Sequence, residues 1–248
     1  MTFVENLSGR PNLQRGAAGL PSAFTLANLF FGFAAIVKAF HGDYAFAAQL
    51  IVVAGVFDVL DGRIARLTGC TSELGAELDS LADLVSFGVA PAVIAYQWGL
   101  VPHHQSFLAA FVLVLCAAVR LARFNVLRQT CDGRSFTGLP SPAAAGMVVS
   151  IVLLHPTPPT AAVTPALVAG VLVLAGALMV SPIPYQSFKK TKVTLHRYQV
   201  VLVVLAALAA IVFQPAVTLV CVAWGYAASG PVRAVLGRRA TVEDGLPR

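Results

Sequence analysis

The feature that most constrains the fold is a series of long apolar runs separated by short polar loops. A helix that crosses the hydrocarbon core of a bilayer needs about 20 predominantly apolar residues. Such runs lie at 23–40, 44–66, 73–97, 106–127, 139–155, 162–182, 197–213 and 215–230. The sequence therefore predicts an all-α, polytopic transmembrane helix bundle of about eight spans. The range is six to eight, because Gln214-Pro215 leaves only a tight turn between the last two runs.

The composition excludes an ordinary soluble domain. Charged residues make up 11% of the 248 residues and hydrophobic residues 58%, whereas soluble domains contain about 25% charged residues. The first 20 residues lack the apolar core and cleavage site of a signal peptide. We expect one integral-membrane domain over 1–248, with a cytoplasmic N-terminal segment at 1–20 and a cytoplasmic tail at 231–248.

The basic residues predict the orientation of this bundle. If the N-terminus lies inside, every Lys and Arg except Lys38 falls in a segment on the inner side. Inner loops of membrane proteins carry an excess of Lys and Arg. Both termini are therefore expected in the cytoplasm and the chain in the cell (inner) membrane. The net charge of +6 then indicates a surface beside anionic lipid, and no nucleic-acid partner is expected.

Six of the eleven acidic residues lie within the 26 positions from Asp58 to Asp83. Helical geometry, at about 100° per residue, places most of them on two stripes that also carry small side chains. The stripe on the second span comprises Asp58, Asp61, Gly62 and Ala65, and that on the third comprises Gly75, Asp79, Asp83, Ser86 and Ala90. A short loop joins the two spans, so we expect antiparallel neighbours whose four Asp side chains meet at one depth.

Four adjacent carboxylates repel one another unless cations neutralise them. Oxygen ligands suit Mg²⁺ or Mn²⁺, and the absence of His and Cys from the two stripes disfavours zinc. A carboxylate site that holds two metal ions can clamp the oxygens of a transferring phosphoryl group. Ionisable residues in membrane spans are functional by default. The cluster therefore predicts a two-metal site for phosphoryl transfer at the cytoplasmic face.

Several polar residues near the cluster have both a functional and a structural interpretation. Ser72 precedes the third span as an N-cap residue would, and a helix start attracts phosphate, to which Arg66 could pair. The alternatives are a simple cap and a membrane-edge anchor. Arg120 and Arg123 lie three residues apart near the inner end of the fourth span. They could hold a lipid phosphate or an acceptor carboxylate, or they could anchor the helix at the membrane edge.

The acidic stretch spells D-x2-D-G-x2-A-R-x8-G-x3-D-x3-D, which resembles the signature of the CDP-alcohol phosphatidyltransferase family. The resemblance implies a CDP-linked lipid substrate, two divalent cations and an alcohol that attacks the phosphorus nearest the lipid. It implies that Asp58, Asp61, Asp79 and Asp83 bind metal and that Asp83 also accepts the proton of the attacking hydroxyl. The positions implied to contact the CDP-lipid are Gly62, Ala65, Arg66, Ser72 and Gly75.

Four further stretches are similar to the bacterial and archaeal membrane-embedded phosphatidylserine synthase branch of this family. They are "LPSAFTLANLFFGF", "LDSLADLVSFGVAPA", "RLARFNV" and "FTGLPSPAAAG". The similarity implies CDP-diacylglycerol and L-serine as substrates and phosphatidylserine and CMP as products. It also suggests a homodimer, because dimers are common in the family. Ser86, Arg120 and Arg123 are then expected near the acceptor or a lipid phosphate. Ser141 stands at a position of this branch where another small or apolar residue is more usual.

Two other functions compete with this interpretation. A sister enzyme would use glycerol 3-phosphate or inositol phosphate as the acceptor. In a different functional class, the carboxylates would line a divalent-cation transporter. A transporter needs polar groups along the outer halves of several spans, and here those halves are nearly all apolar.

Overall fold

A computed structural model describes residues 11–68, 73–101, 107–130, 138–158, 164–183, 185 and 214–243. Regular structure within these ranges is entirely helical, which confirms the all-α prediction. The α-helices are α1 (Pro11–Phe40), α2 (Tyr44–Thr68), α3 (Glu73–Asp83), α4 (Ala90–Ala95), α5 (Phe107–Thr130), α6 (Ser141–Leu154), α7 (Thr164–Val180) and α8 (Pro215–Glu243). π-Helical turns at Leu84–Val89 and Tyr96–Leu100 make one continuous third segment of α3 and α4.

Four helical stretches are long and apolar enough to cross a membrane, and they match the first four predicted spans. They are Ala23–Phe40, Tyr44–Ile64, Leu74–Leu100 and Phe107–Leu127. Large apolar side chains such as Phe33 and Phe111 are more than half exposed on these helices. Exposed apolar faces of this kind suit lipid, so these helices indicate a membrane protein.

The predicted count of eight spans is not confirmed. α6 has 14 residues and rises about 21 Å, which is less than the hydrocarbon thickness of about 30 Å. The predicted span 197–213 lies outside the described residues. The last predicted span forms the first part of α8, which continues past 230 through Pro231 to Glu243. A proline removes one backbone hydrogen bond and does not always end a helix.

α1 and α2 form the most extensive helix pair among the described residues. Each of the two helices has a buried stripe, and most of the residues in these stripes are small. The stripes comprise Thr25, Asn28, Gly32, Ala35 and Ala39 on α1 and Ala47, Ile51, Ala54 and Asp61 on α2. Small side chains let helix backbones approach closely in membrane proteins, so the polar members of both stripes are brought together.

α1 also packs closely against the third segment. A Cβ atom on Gly32 would lie 2.8 Å from the Cα atom of Ser86, so this position requires glycine. The Ser86 hydroxyl donates a hydrogen bond of 2.9 Å to the backbone oxygen of Asn28. Within the described part of the chain, α1 contacts α2 and α3 more extensively than these two helices contact each other. The expected contact between the second and third spans is present, but α2 meets the third segment at the π-helical turn Leu84–Val89 and at α4 rather than at α3, and α1 packs against both.

A tight turn sets the start of α6. Gly138 has a φ of 88°, a conformation that glycine adopts without strain, and a Cβ atom there would overlap the backbone oxygen of Met179. Its N–H donates to the backbone oxygen of Ile183 at 2.9 Å. This turn ties the start of α6 to the end of α7 and fixes the position of Ser141.

Candidate active site

Three of the predicted carboxylates converge. Asp58 lies near the end of α2, and Asp79 and Asp83 lie one turn apart on α3. One carboxylate oxygen from each of the three lies within 4.8 Å of the others. Because α2 and α3 have little direct contact, these side chains reach towards one another across a space between the helices.

Asp61 lies one turn beyond Asp58 on α2 but is not part of this group of three. Its side chain is only 6% exposed, and its Oδ2 atom accepts a hydrogen bond from the hydroxyl of Thr25 on α1. The four predicted metal ligands are thus arranged as three converging carboxylates and one neighbour that α1 holds in place.

Asn28 connects α1 to the carboxylate group. Its Nδ2 atom donates to Oδ1 of Asp83 at 3.2 Å, and its backbone oxygen accepts the hydrogen bond from Ser86. The side chain of Asn28 is fully buried. Its Oδ1 atom has no hydrogen-bond partner among the described residues. Ser86, predicted near the acceptor, is therefore placed where it holds the backbone of Asn28.

The structure separates the two predicted arginines of α5. The Nη1 atom of Arg120 donates to the hydroxyl of Ser141 at 2.7 Å, and its charge interacts with the carboxylates of Asp83 and Asp58. The Nε atom of Arg120 is buried without a hydrogen-bond partner in the described part of the chain. Arg123, one turn further on, is exposed. Of these two arginines, Arg120 is the one whose side chain is turned into the protein.

The positions implied to contact the CDP-lipid are placed only in part. Gly62 is exposed on α2, and a Cβ atom there would meet nothing within 4 Å. Gly75 lies at the start of α3, and Ala65 and Arg66 lie near the end of α2. Ser72 falls outside the described residues. The open surface at Gly62 agrees with the expectation of room beside the backbone.

Sequence reasoning assigned no role to Thr25 and Asn28, although both lie in "LPSAFTLANLFFGF". A signal was available, because two polar residues three positions apart share one face of an otherwise apolar span. Polar residues inside membrane spans face the protein interior and mark functional sites. What could not be seen was which carboxylate each of them contacts.

The donor set of this group fits a hard divalent cation. Three partly buried carboxylates whose oxygens lie within 4.8 Å of one another repel one another when ionised. Carboxylate oxygen is the ligand type that Mg²⁺ and Mn²⁺ prefer. The group contains neither His nor Cys. The residues that the structure brings together therefore suit Mg²⁺ or Mn²⁺ better than zinc.

Comparison with known proteins identifies the family. A sequence profile described as CDP-alcohol phosphatidyltransferase matches residues 18–183. A Helicobacter pylori protein named CDP-diacylglycerol–serine O-phosphatidyltransferase is 43% identical over 188 residues, covering 75% of this chain and 79% of its own length. An archaetidylserine synthase of Methanothermobacter thermautotrophicus is 36% identical over 168 residues, covering 67% of this chain and 69% of its own.

A third relative extends the comparison to another bacterial group. The Mycobacterium leprae protein named CDP-diacylglycerol–serine O-phosphatidyltransferase is 38% identical over 157 residues, covering 60% of this chain and 52% of its own length. The profile match spans the three converging aspartates and both helices that carry them. The chain therefore belongs to the CDP-alcohol phosphatidyltransferase family.

Proposed function

We propose that this chain transfers the phosphatidyl group from CDP-diacylglycerol to the hydroxyl of L-serine, giving phosphatidylserine and CMP. One observation carries the proposal: Asp58, Asp79 and Asp83 converge at the signature positions of the family. The names of relatives that are 43% and 38% identical supply the acceptor and the lipid. In the reaction, a bond forms between the serine oxygen and the lipid phosphorus. The bond from that phosphorus to the CMP oxygen breaks.

In this proposal Asp58, Asp61, Asp79 and Asp83 hold two divalent cations, Mg²⁺ or Mn²⁺. When bound, such ions neutralise the diphosphate charge and stabilise the attacking and leaving oxygens. Thr25 occupies Oδ2 of Asp61, which leaves Oδ1 for a ligand bond. The contact orients the carboxylate, as partners of metal-binding carboxylates do.

Asp83 is proposed as the general base that accepts the proton of the serine hydroxyl. A positioned carboxylate of this kind contributes about a hundredfold to ten-thousandfold to a rate. The hydrogen bond from Asn28 at 3.2 Å restricts the orientation of the Asp83 side chain. The buried contact of α1 with Ser86 supports Asn28 in turn.

The CDP-lipid is proposed to lie against Gly62, Ala65, Arg66, Ser72 and Gly75. The open space around Gly62 lets a diphosphate approach the backbone. The start of α3, where Ser72 is the predicted N-cap, favours phosphate through its free N–H groups.

The acceptor is proposed to lie on the Arg120 side of Asp83. Arg120 offers a partly buried positive charge on the helix that packs against the turn following Asp83, which suits the carboxylate of serine. The exposed Arg123 is proposed to contact a lipid phosphate at the membrane edge, and Ser86 acts through Asn28.

The deciding experiment supplies purified protein with CDP-diacylglycerol and a panel of alcohols, and it identifies the lipid product. We expect CMP release with L-serine to exceed release with glycerol 3-phosphate or inositol phosphate at equal concentration. The opposite order would overturn the acceptor but leave the reaction class in place. A parallel reaction with a CDP-linked ether lipid tests the lipid, since one relative is named archaetidylserine synthase.

The rival in another class is tested on the same preparation. Protein reconstituted in liposomes should catalyse CMP release without carrying Mg²⁺ or Mn²⁺ across the bilayer. Cation flux without CMP release would replace the transferase by a transporter. Light scattering on the detergent-solubilised protein tests the homodimer.

The topology is proposed from the positive-inside bias: both termini, the loops that hold Arg63, Arg134 and Lys190, and the active site lie on the cytoplasmic side of the inner membrane. In a variant without native cysteines, single cysteines at 102–105 should react with an impermeant reagent on intact cells. Cysteines at 130–135 should not. The reverse pattern would overturn this orientation.

A further inference from the structure

Two buried polar side-chain atoms have no hydrogen-bond partner among the described residues: Oδ1 of Asn28 and Nε of Arg120. Asn28 donates to Asp83 at 3.2 Å, and Arg120 lies on α5, which packs against the π-helical turn that directly follows Asp83. Buried polar atoms without a partner are rare and destabilising. One atom is an acceptor and the other is a donor, so together they suit a ligand that carries both kinds of group.

The orientation of the Asn28 amide follows from its contacts. With Asp83 ionised, as its proposed role as a base requires, the Nδ2 atom faces its acceptor oxygen, because the reversed amide would place two acceptors against each other. The backbone oxygen of Asn28 is held by Ser86 at 2.9 Å, and Gly32 brings the two helices into close contact at the next turn. Asn28 is fully buried, so its Oδ1 atom cannot turn to solvent.

We infer that Asn28 is a specificity-determining residue whose Oδ1 atom accepts a hydrogen bond from the ammonium group of the acceptor amino acid. This inference rests on the proposed function. Asp83 takes the hydroxyl, Arg120 takes the carboxylate and Asn28 takes the ammonium group. These are the three groups of a hydroxylated α-amino acid. An acceptor without an ammonium group leaves Oδ1 unpaired, and a site built around a substrate donor rejects analogues that lack it.

The test uses two analogues that each lack one group of L-serine. 3-Hydroxypropionate lacks the ammonium group, and ethanolamine lacks the carboxylate. With Asn28→Ala, the ratio of kcat/KM for L-serine to that for 3-hydroxypropionate should fall about tenfold to a hundredfold, as for loss of a hydrogen bond to a charged group. The ratio of L-serine to ethanolamine should change less than about threefold, because the Arg120 contact is kept. For an analogue that is not turned over, its inhibition constant against L-serine supplies the comparison.

Two further variants separate recognition from a damaged fold. Asn28→Leu keeps the approximate size but has no polar atom, and it should lose the ammonium preference as Asn28→Ala does. Asn28→Asp keeps an oxygen at the Oδ1 position and should retain the preference even if kcat falls. Asn125→Ala is the matched control, since Asn125 on α5 bonds to Ser80 and Glu77, and it should leave both ratios unchanged.

An unchanged ratio of L-serine to 3-hydroxypropionate in both Asn28→Ala and Asn28→Leu would overturn the inference. If a variant is inactive with every acceptor, binding of radiolabelled L-serine with CDP-diacylglycerol present, displaced by each analogue, measures the same preference. If the unaltered protein makes no phosphatidylserine at all, the proposed function fails first. The two failures are therefore distinguishable.

Discussion

The helical segment from Glu73 to Leu100 has two halves, and they differ in whether polar or apolar side chains surround them. The first half carries Asp79 and Asp83 and ends in a π-helical turn whose Ser86 bonds to α1. The second half is packed by apolar side chains, with Ile94 and Leu100 fully buried. π-Helical turns are frequent at functional sites, and here the first of them follows Asp83 directly.

The polar groups of the two halves differ in the same way. Around the second half, Trp98 donates to the backbone oxygen of His155 at 2.9 Å, and Tyr44 donates to that of Gln97 at 3.2 Å. Around the first half, Asn28 and Arg120 each bury one atom without a partner in the described part of the chain. Among the described residues, the unpartnered buried polar atoms therefore lie around the first half and not around the second. Departures from complete hydrogen bonding are expected at functional sites.

The largest contrast is expected at Asp83. Asp83→Asn should lower kcat by about a hundredfold to ten-thousandfold, because the general base is lost, and loss of a shared metal ligand adds to this. CDP-lipid binding, measured with a radiolabelled substrate, should be largely kept. If Asp83→Asn bound no CDP-lipid, the residue would act mainly in holding metal or structure.

Next come Asp79 of the first half and the two carboxylates of α2, Asp58 and Asp61. Activity should vanish with a chelator and return with Mg²⁺ or Mn²⁺. Replacing Asp58, Asp61 or Asp79 by Asn should lower kcat/KM by about a hundredfold or more, because a ligand charge at the phosphoryl-transfer site is lost. Full activity of one of these variants would exclude that residue as an essential ligand.

The two arginines of α5 form a matched pair. Arg120→Ala should raise KM for L-serine about tenfold to a hundredfold, because a charged donor whose Nε atom is buried is lost. Because Arg123 is exposed, Arg123→Ala should change KM for L-serine less than about threefold. Equal effects of the two substitutions would show that burial beside the carboxylates does not distinguish them.

A smaller effect is expected at Ser141, whose hydroxyl accepts the 2.7 Å hydrogen bond from Arg120. Ser141→Ala should raise KM for L-serine about threefold to tenfold with little change in kcat, because Arg120 loses one orienting contact. Ser150 is a matched control: it is buried on the same helix, and within the described part of the chain its hydroxyl donates to the backbone oxygen of Met147. A Ser150→Ala variant as impaired as Ser141→Ala would indicate a general effect on α6.

The smallest effect on catalysis is expected in the apolar surroundings of the second half. Leu172 of α7 is fully buried and borders the same small cavity as Trp98. Leu172→Ala should lower the free energy of unfolding by about 2 kcal/mol or more, because a cavity is left behind, as measured by thermal unfolding in detergent. Its kcat per folded molecule should stay within about twofold. A larger loss of kcat would mean that the two halves are coupled.

The sequence predicted the helical class, the first four spans and the aspartates because these depend on local properties. Hydropathy over about 20 residues defines a span, and the 3.6-residue period places Asp79 and Asp83 on one face of a helix. The number of Lys and Arg residues in the loops on each side predicts the orientation, and this number is also read directly from the sequence. None of these inferences requires knowledge of which helices are neighbours.

Only the tertiary structure decided how these residues combine. The packing of α1 against both α2 and α3 places Thr25 on Asp61 and Asn28 on Asp83. The hydrogen bond from Arg120 on α5 to Ser141 at the start of α6 holds the Arg120 side chain inside the protein, whereas Arg123 is exposed. Contacts between distant segments depend on which small residues let backbones approach, as Gly32 does at Ser86. Helical periodicity determines a face, but the neighbour that meets it is determined by packing.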